Sequence, residues 1–116
     1  MDLNEMIEKI KRHADSNKIG MIASHLGVVR GVSRNGEEVK GIEVKYDFDV
    51  INSIIQDIKR LPGIVEAIVD TNEGHLNVGD EIMAVVIAGD IRENVFPALM
   101  KAVACIKEDA SWKKEF

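Results

Sequence analysis

The segment from Ile82 to Ala88 constrains the fold more than any other part of the chain, because every position in it is apolar. A strand with one face in water alternates apolar and polar residues, whereas a strand that is covered on both faces does not. We therefore predict that this segment is the central strand of a sheet. The chain has 116 residues, an ordinary size for one domain, so helices of the same chain or a second protomer must supply the cover.

Three segments carry apolar residues at helical spacing and follow residues that can cap a helix. Asp49 can cap the second of these helices. Asp90 or Asn94 can cap the third, and Asn94 suits it better because Pro97 then falls in the first turn, where its missing N–H costs little. The third helix is predicted to bury one apolar side, formed by Phe96, Leu99, Met100, Val103 and Ile106.

The dipeptide Asn35-Gly36 is a strong signal for a tight hairpin turn, because both residues tolerate positive φ. We therefore predict that the extended segments 19–30 and 39–48 pair as neighbouring strands. The resulting order is α-β-β-α-β-β-α. Helices that alternate with hairpins predict an α+β domain over residues 1–116, with a mostly antiparallel sheet and helices packed on it.

Composition excludes several classes of protein. A net charge of −5 argues against general nucleic-acid binding, which requires a basic surface, and the apolar runs are too short to span a bilayer. Cys105 is the only cysteine, so no internal disulfide forms, which fits a cytoplasmic setting. His13, His25 and His75 show no metal-ligand spacing, so no metal site is predicted.

An acidic chain carries a cluster of cations near its C-terminal end. Phe96 and Lys107 lie about three helical turns apart and can share one helix face, and Trp112-Lys113 follows after the helix ends. This arrangement can bring two ammonium groups together beside an apolar anchor, Trp112, and would suit a phosphorylated ligand. An amphipathic helix with a solvated basic tail has the same pattern, and the spacing alone favours that simpler interpretation.

Four sequence blocks, in order and at nearly the expected spacing, resemble the large, catalytic subunit of molybdopterin synthase. No block is specific alone, but the set extends over nearly the whole chain, from about Asp2 to Phe116. The blocks are Gly27-Val28-Val29-Arg30, Gly74-His75-Leu76-Asn77-Val78-Gly79-Asp80-Glu81, Arg92 with Phe96 and Lys107, and Trp112-Lys113-Lys114-Glu115.

The resemblance implies a sulfurtransferase that converts a cyclic pyranopterin monophosphate into molybdopterin. In that family, sulfur arrives as a thiocarboxylate on the C-terminal Gly-Gly tail of a small ubiquitin-like subunit, and the large subunits form a homodimer. No cofactor resident on the large subunit is implied. The same partner, the same pterin phosphate substrate and a cytoplasmic location are expected here.

Matched block by block, the resemblance implies that Lys107 and Lys113 are the catalytic lysines. Arg30 and Arg92 match arginines of the anionic substrate pocket, and Lys114 is assigned to substrate binding with them. The chemistry agrees, because opening a cyclic phosphate develops negative charge that fixed cations stabilise. Arginine suits bidentate phosphate contact, whereas lysine acts as a movable point charge.

The chain departs from the family pattern in three places. Ile91 stands where the family usually has His before the arginine, and the spacing from Lys107 to Lys113 is one residue shorter. The basic segment that usually follows the last block is also not seen after Phe116. These departures leave a second hypothesis open, a diverged non-catalytic member that acts as a binding or scaffolding module. The retained lysines and arginines favour the enzyme; the partner's identity, the dimer surface and the final metal, molybdenum or tungsten, stay open.

Overall fold

The computed structural model describes all 116 residues and confirms the α+β class. The helices are α1 (Leu3–Lys11), α2 (Phe48–Lys59) and α3 (Arg92–Asp109), with a short 3-10 turn at Ser16–Lys18. The strands are β1 (Met21–Val28), β2 (Gly41–Tyr46), β3 (Ile64–Thr71), β4 (Gly74–Asn77), β5 (Glu81–Gly89) and β6 (Ser111–Glu115). None of the helices has the length and apolar composition that crossing a membrane requires.

The strands form two antiparallel sheets of three strands each, a first sheet in the order β1-β5-β3 and a second sheet in the order β4-β2-β6. In the first sheet, β5 is central and is buried from Met83 to Gly89. Helix α1 packs on the face that carries Val86, whereas α2 and α3 pack on the face that carries Val85 and Ile87. The prediction of a central strand covered on both faces is therefore confirmed, with all of the cover coming from the same chain.

The predicted pairing of the two strands that flank Asn35-Gly36 is wrong. The turn itself forms, with Gly36 at φ 84° and a bridge between Val32 and Glu38. Beyond that bridge the strands separate, because β1 joins β5 in the first sheet while β2 joins β4 and β6 in the second. The turn signal is local, whereas the strand partners are set by the apolar clusters that each strand helps to bury.

The start of α2 lies two residues earlier than predicted. Asp47, not Asp49, is the N-cap, and its carboxylate accepts hydrogen bonds from the backbone N–H groups of Asp49 at 3.1 Å and Val50 at 3.2 Å. Both aspartates are ordinary capping residues. Asp49 then lies in the first turn, where its negative charge complements the positive end of the helix dipole.

Neither predicted cap begins α3, because Ile91 is its N-cap and provides no side-chain hydrogen bond. The Asp90 carboxylate instead accepts hydrogen bonds from the Ile91 N–H at 2.7 Å and from the Asn94 amide at 2.9 Å. The Asn94 bond and then the Ile91 bond lower the pKa of the Asp90 carboxyl below its usual value. Pro97 consequently falls in the second turn of the helix rather than the first.

The buried side of α3 also differs from the prediction. Phe96 is 51% exposed and Met100 is 73% exposed, so these two residues do not belong to the core. Small residues allow the helix to pack close to the sheet and shift its buried side by about one position. The fully buried positions of the helix are Val95, Ala98, Ala102 and Ile106.

Strands β4 and β6 are absent from the predicted order. Both are short and mostly exposed, and neither shows an alternating apolar pattern. They form because both edges of β2 are available for pairing, as in the pairs Ile42 with Leu76 and Val44 with Lys113. The second sheet then buries a small cluster of Val29, Val39, Ile42, Val44 and Leu76.

Candidate functional site

Lys107 lies in the last turn of α3, at the end of the helix that leads into β6. Its side chain is exposed and forms no ion pair with any acidic residue. The Ser111 hydroxyl donates a hydrogen bond of 2.9 Å to the Lys107 carbonyl, which fixes the passage from helix to strand. The ammonium group of Lys107 is therefore free to bind an anion.

Lys113 lies on β6, where strand pairing sets its direction. It stands opposite Val44, and residues directly opposite in an antiparallel pair project to the same face. Val44 is buried in the cluster under the second sheet. Lys113 therefore projects to the face of the second sheet that covers this cluster, at the sheet edge that β6 forms. Lys113 also forms no ion pair.

Lys114 projects from the opposite face of β6, together with Trp112. The Lys114 ammonium lies 5.4 Å from the centre of the Phe116 ring, and the Lys45 ammonium lies 5.9 Å from the centre of the Trp112 ring. Trp112 is 52% exposed, so it is not part of the core. The structure does not bring Lys114 together with Lys113.

Arg30 is exposed directly after Val29, which belongs to the cluster under the second sheet. Two backbone hydrogen bonds hold Val29 in place, one from its N–H to the Asp80 carbonyl at 2.9 Å and one from the Gly79 N–H to its carbonyl at 2.8 Å. The sequence block that contains Gly79 and Asp80 thus holds the block that contains Val29 and Arg30 in place. Arg30 follows one residue of the buried cluster in the sequence, and Lys113 pairs with another, Val44.

Arg92 lies at the opposite end of α3 from Lys107. The helix has 18 residues, a length of about 27 Å at 1.5 Å per residue. Arg92 is exposed, and its nearest acid is Glu93, with Nε 3.1 Å from the carboxylate oxygen. A single protomer therefore cannot place Arg92 and Lys107 on the same phosphate.

Arg92, Lys107 and two exposed apolar residues nevertheless share one face of α3. Residues four apart lie on the same side of a helix, and Lys107 follows Met100 by about two turns. We call this set the outer stripe of α3. It consists of Arg92, Phe96, Met100 and Lys107.

His25 is a polar residue on a buried face that the sequence interpretation set aside. Its Nε2 atom is buried without a hydrogen-bond partner. Burial, and after it the positive charge of Lys107, holds the pKa of the imidazole below its ordinary value of 6.5. A signal was present in the sequence, because His25 alternates with Met21 and Ala23 on β1, and these residues pack against the main core. No three His, Cys, Asp or Glu side chains lie close enough together to hold a metal ion.

The family model described as MoaE protein matches residues 1–109. The chain belongs to the MoaE family. This confirms the family that the four sequence blocks indicated. A curated relative, an uncharacterized protein of Methanocaldococcus jannaschii, is 28% identical over 101 residues, which cover 84% of this chain and 81% of that protein.

Solved structures show the same fold. The molybdopterin biosynthesis MoaE protein of Burkholderia ambifaria is 26% identical, with a TM-score of 0.80 over 99% of this chain and 76% of that one. The molybdopterin synthase of Staphylococcus aureus is 20% identical, with a TM-score of 0.81 over 100% of this chain and 85% of that one. A complex of subunits 1 and 2 of the molybdopterin-converting factor of Helicobacter pylori is 18% identical, with a TM-score of 0.73 over 99% of this chain and 78% of that one.

Proposed function

We propose that this MoaE-family protein is the catalytic subunit of a molybdopterin synthase. It transfers sulfur from the C-terminal thiocarboxylate of a small partner to cyclic pyranopterin monophosphate, in the cytoplasm. The observation that carries the proposal is the placement of Lys107 and Lys113 on two consecutive elements, α3 and β6, with neither ammonium paired to an acid.

The pattern of unpaired cations supports an anionic substrate. Five of the 15 Lys and Arg side chains form ion pairs. Arg30, Lys107 and Lys113 are among those that do not, and the family resemblance, rather than the lack of an ion pair, distinguishes them from the others. Cations that are fixed by the backbone and not neutralised can stabilise the charge that develops as the cyclic phosphate opens.

The small partner follows from the same proposal. The Helicobacter pylori structure is a complex of subunits 1 and 2 of the molybdopterin-converting factor, and its fold is similar to that of this chain. We expect a small ubiquitin-like protein ending in Gly-Gly to present its thiocarboxylate beside Lys107. A carboxylate-like group next to an unpaired ammonium forms a charge-assisted hydrogen bond, which is stronger than a neutral one.

The outer stripe of α3 supports a homodimer in which Arg92 serves the partner's site. Phe96 and Met100 are exposed apolar residues in the middle of the stripe, and cations stand at its two ends. If two copies of α3 pack antiparallel about a two-fold axis near Met100, the apolar residues contact each other across the axis. Arg92 then approaches the partner's Lys107, as the self-complementary geometry of a two-fold interface requires.

A turnover assay with the thiocarboxylated small partner and the pterin precursor tests the proposal. Lys107→Ala and Lys113→Ala should each lower turnover by about two to three orders of magnitude, as losing one group that stabilises developing charge does. Lys101→Ala is the matched control, because Lys101 is also an exposed lysine of α3. A non-catalytic scaffolding module would show no turnover in the unsubstituted protein, and equal losses in all three variants would exclude specific roles for Lys107 and Lys113.

A further inference from the structure

The His25 side chain is directed from β1 towards the helices that cover the first sheet. It stands opposite Val85 of β5, and Val85 belongs to the main core with α2 and α3. Met21 and Ala23, which share this face of β1, pack against the same core. The imidazole therefore lies between the sheet and α3.

The Nε2 atom of His25 is the only buried side-chain nitrogen or oxygen without a hydrogen-bond partner in the protein. Leaving a buried polar atom unpaired costs free energy, and folded proteins contain few such atoms. The neighbouring residues of β5 on this face, Met83 and Val85, are apolar and offer no partner. A bound ligand would provide the missing partner.

Gly27 is the next residue on the same face of β1, and its missing side chain leaves room for about one small group beside Nε2. A Cβ atom at Gly27 would lie 3.4 Å from Nε2, so the ring extends along the strand towards its end, which Arg30 follows. From the side of α3, the charge of Lys107 acts on the imidazole and, after burial, contributes to its lowered pKa. His25 is therefore a neutral hydrogen-bonding group beside a cation.

We propose that the Nε2–H of His25 donates a hydrogen bond to an anionic oxygen of the ligand that binds against Lys107. The inference rests on the proposed function and makes His25 a ligand-binding residue of the same site. A neutral imidazole can donate from one ring nitrogen, and the neighbouring ammonium disfavours a cationic ligand. Two sources share this chemistry, the C-terminal carboxylate group of the small partner and the phosphate of the pterin.

Paired substitutions separate binding from a merely structural role. His25→Phe keeps an aromatic ring but removes the N–H, and it leaves no unpaired polar atom, so the melting temperature should stay the same or rise. Turnover as kcat/KM should nevertheless fall about ten- to a hundredfold. His25→Gln retains a side-chain N–H and should recover most of the loss. The proposal is wrong if His25→Phe has unchanged kcat/KM, or if both variants lose stability and activity together.

Nuclear magnetic resonance of the imidazole nitrogens tests the contact without turnover. One probe is a peptide that ends in Gly-Gly with a free carboxylate, and the other is inorganic phosphate. The His25 resonances should shift with at least one probe, while those of His13 and His75 serve as internal controls; the responding probe identifies the source of the anion. If neither probe at high concentration shifts His25 more than the controls, the hydrogen bond does not exist. If the unsubstituted protein makes no molybdopterin, the proposed function fails, but a His25 shift still supports the anion contact.

Discussion

The outer stripe of α3 predicts that each site of the proposed homodimer combines Lys107 of one chain with Arg92 of the other. The two residues stand near opposite ends of an 18-residue helix, which is about 27 Å long, so one chain cannot supply both to one phosphate. Consider a mixed dimer with Arg92→Ala in one chain and Lys107→Ala in the other. One of its sites then carries both substitutions, and the other carries neither.

The size of the effect follows from this geometry. Each variant alone has a defect in both sites, and we expect each to have about 1% of wild-type turnover or less. When equal amounts exchange subunits at random, half of the dimers are mixed and half of their sites are intact. Turnover of the whole mixture should therefore recover to about one quarter of the wild-type value, and turnover of the purified mixed dimers to about one half, as expected for a two-fold symmetric dimer with one residue exchanged between sites.

The assay uses two affinity tags, so that mixed dimers can be purified and their turnover measured with the small partner and the precursor. A mixture of Lys107→Ala and Lys113→Ala is the control. Both lysines belong to the same chain's site in our proposal, so every mixed dimer has two defective sites and no recovery should occur. Failure of the Arg92 mixture to recover would refute the exchange of Arg92, and equal recovery in the control mixture would refute the assignment of both lysines to one site.

Four further predictions concern stability. Gly63→Ala should lower the free energy of unfolding, measured in urea, by about 2–4 kcal/mol. Gly63 has φ 78°, and a Cβ there would collide with the side chains of Asp90 and Asn94 at the start of α3. Gly36→Ala should cost only about 1 kcal/mol, since Gly36 has φ 84° but open space around it. The pKa of His25 is lowered from 6.5, so just below pH 6.5 the unfolded chain binds more protons than the folded protein does. The protein should therefore lose stability as the pH falls through this range. His25→Phe should reduce this dependence of the melting temperature on pH. Burial, and then Glu73, raises the pKa of Tyr46 from 10.0 to about 12, so the folded state keeps a proton that the unfolded chain releases. The melting temperature should therefore fall more steeply above pH 10 than it does in Tyr46→Phe.

The parts of the fold that could be predicted from sequence are those that local chemistry determines. The apolar run of β5 identifies a central strand because an exposed position would leave apolar side chains in water. Asn35-Gly36 identifies a turn because few residue pairs adopt the backbone conformation of a tight turn. The partners of β1 and β2 could not be predicted from the same turn. They depend on which apolar faces meet over long sequence distances, and a short-range signal contains no such information.

The candidate site shows the same division. Lys107 could be placed near the end of α3 because helix periodicity is regular, and its relation to Lys113 was suggested by the family resemblance. His25 was missed because a single histidine has no spacing pattern, and its importance depends on burial and on Lys107, which lies on another element. The wrong phase predicted for α3 had a related cause, because Phe96 and Met100 are as apolar as core residues and only the packing of Ala98 and Ala102 shows which side is covered.

The pairing of β6 with β2, and not the length of the connection after α3, orients the Lys113 ammonium. Val44, rather than the number of residues after Lys107, determines the side to which Lys113 points. An added or missing residue before β6 can be absorbed in the connection, as long as the alignment of the two strands is preserved. A deletion within β6 has a different consequence, because it would place Lys114 rather than Lys113 opposite Val44. The register of β6 against β2 therefore determines which lysine faces inwards.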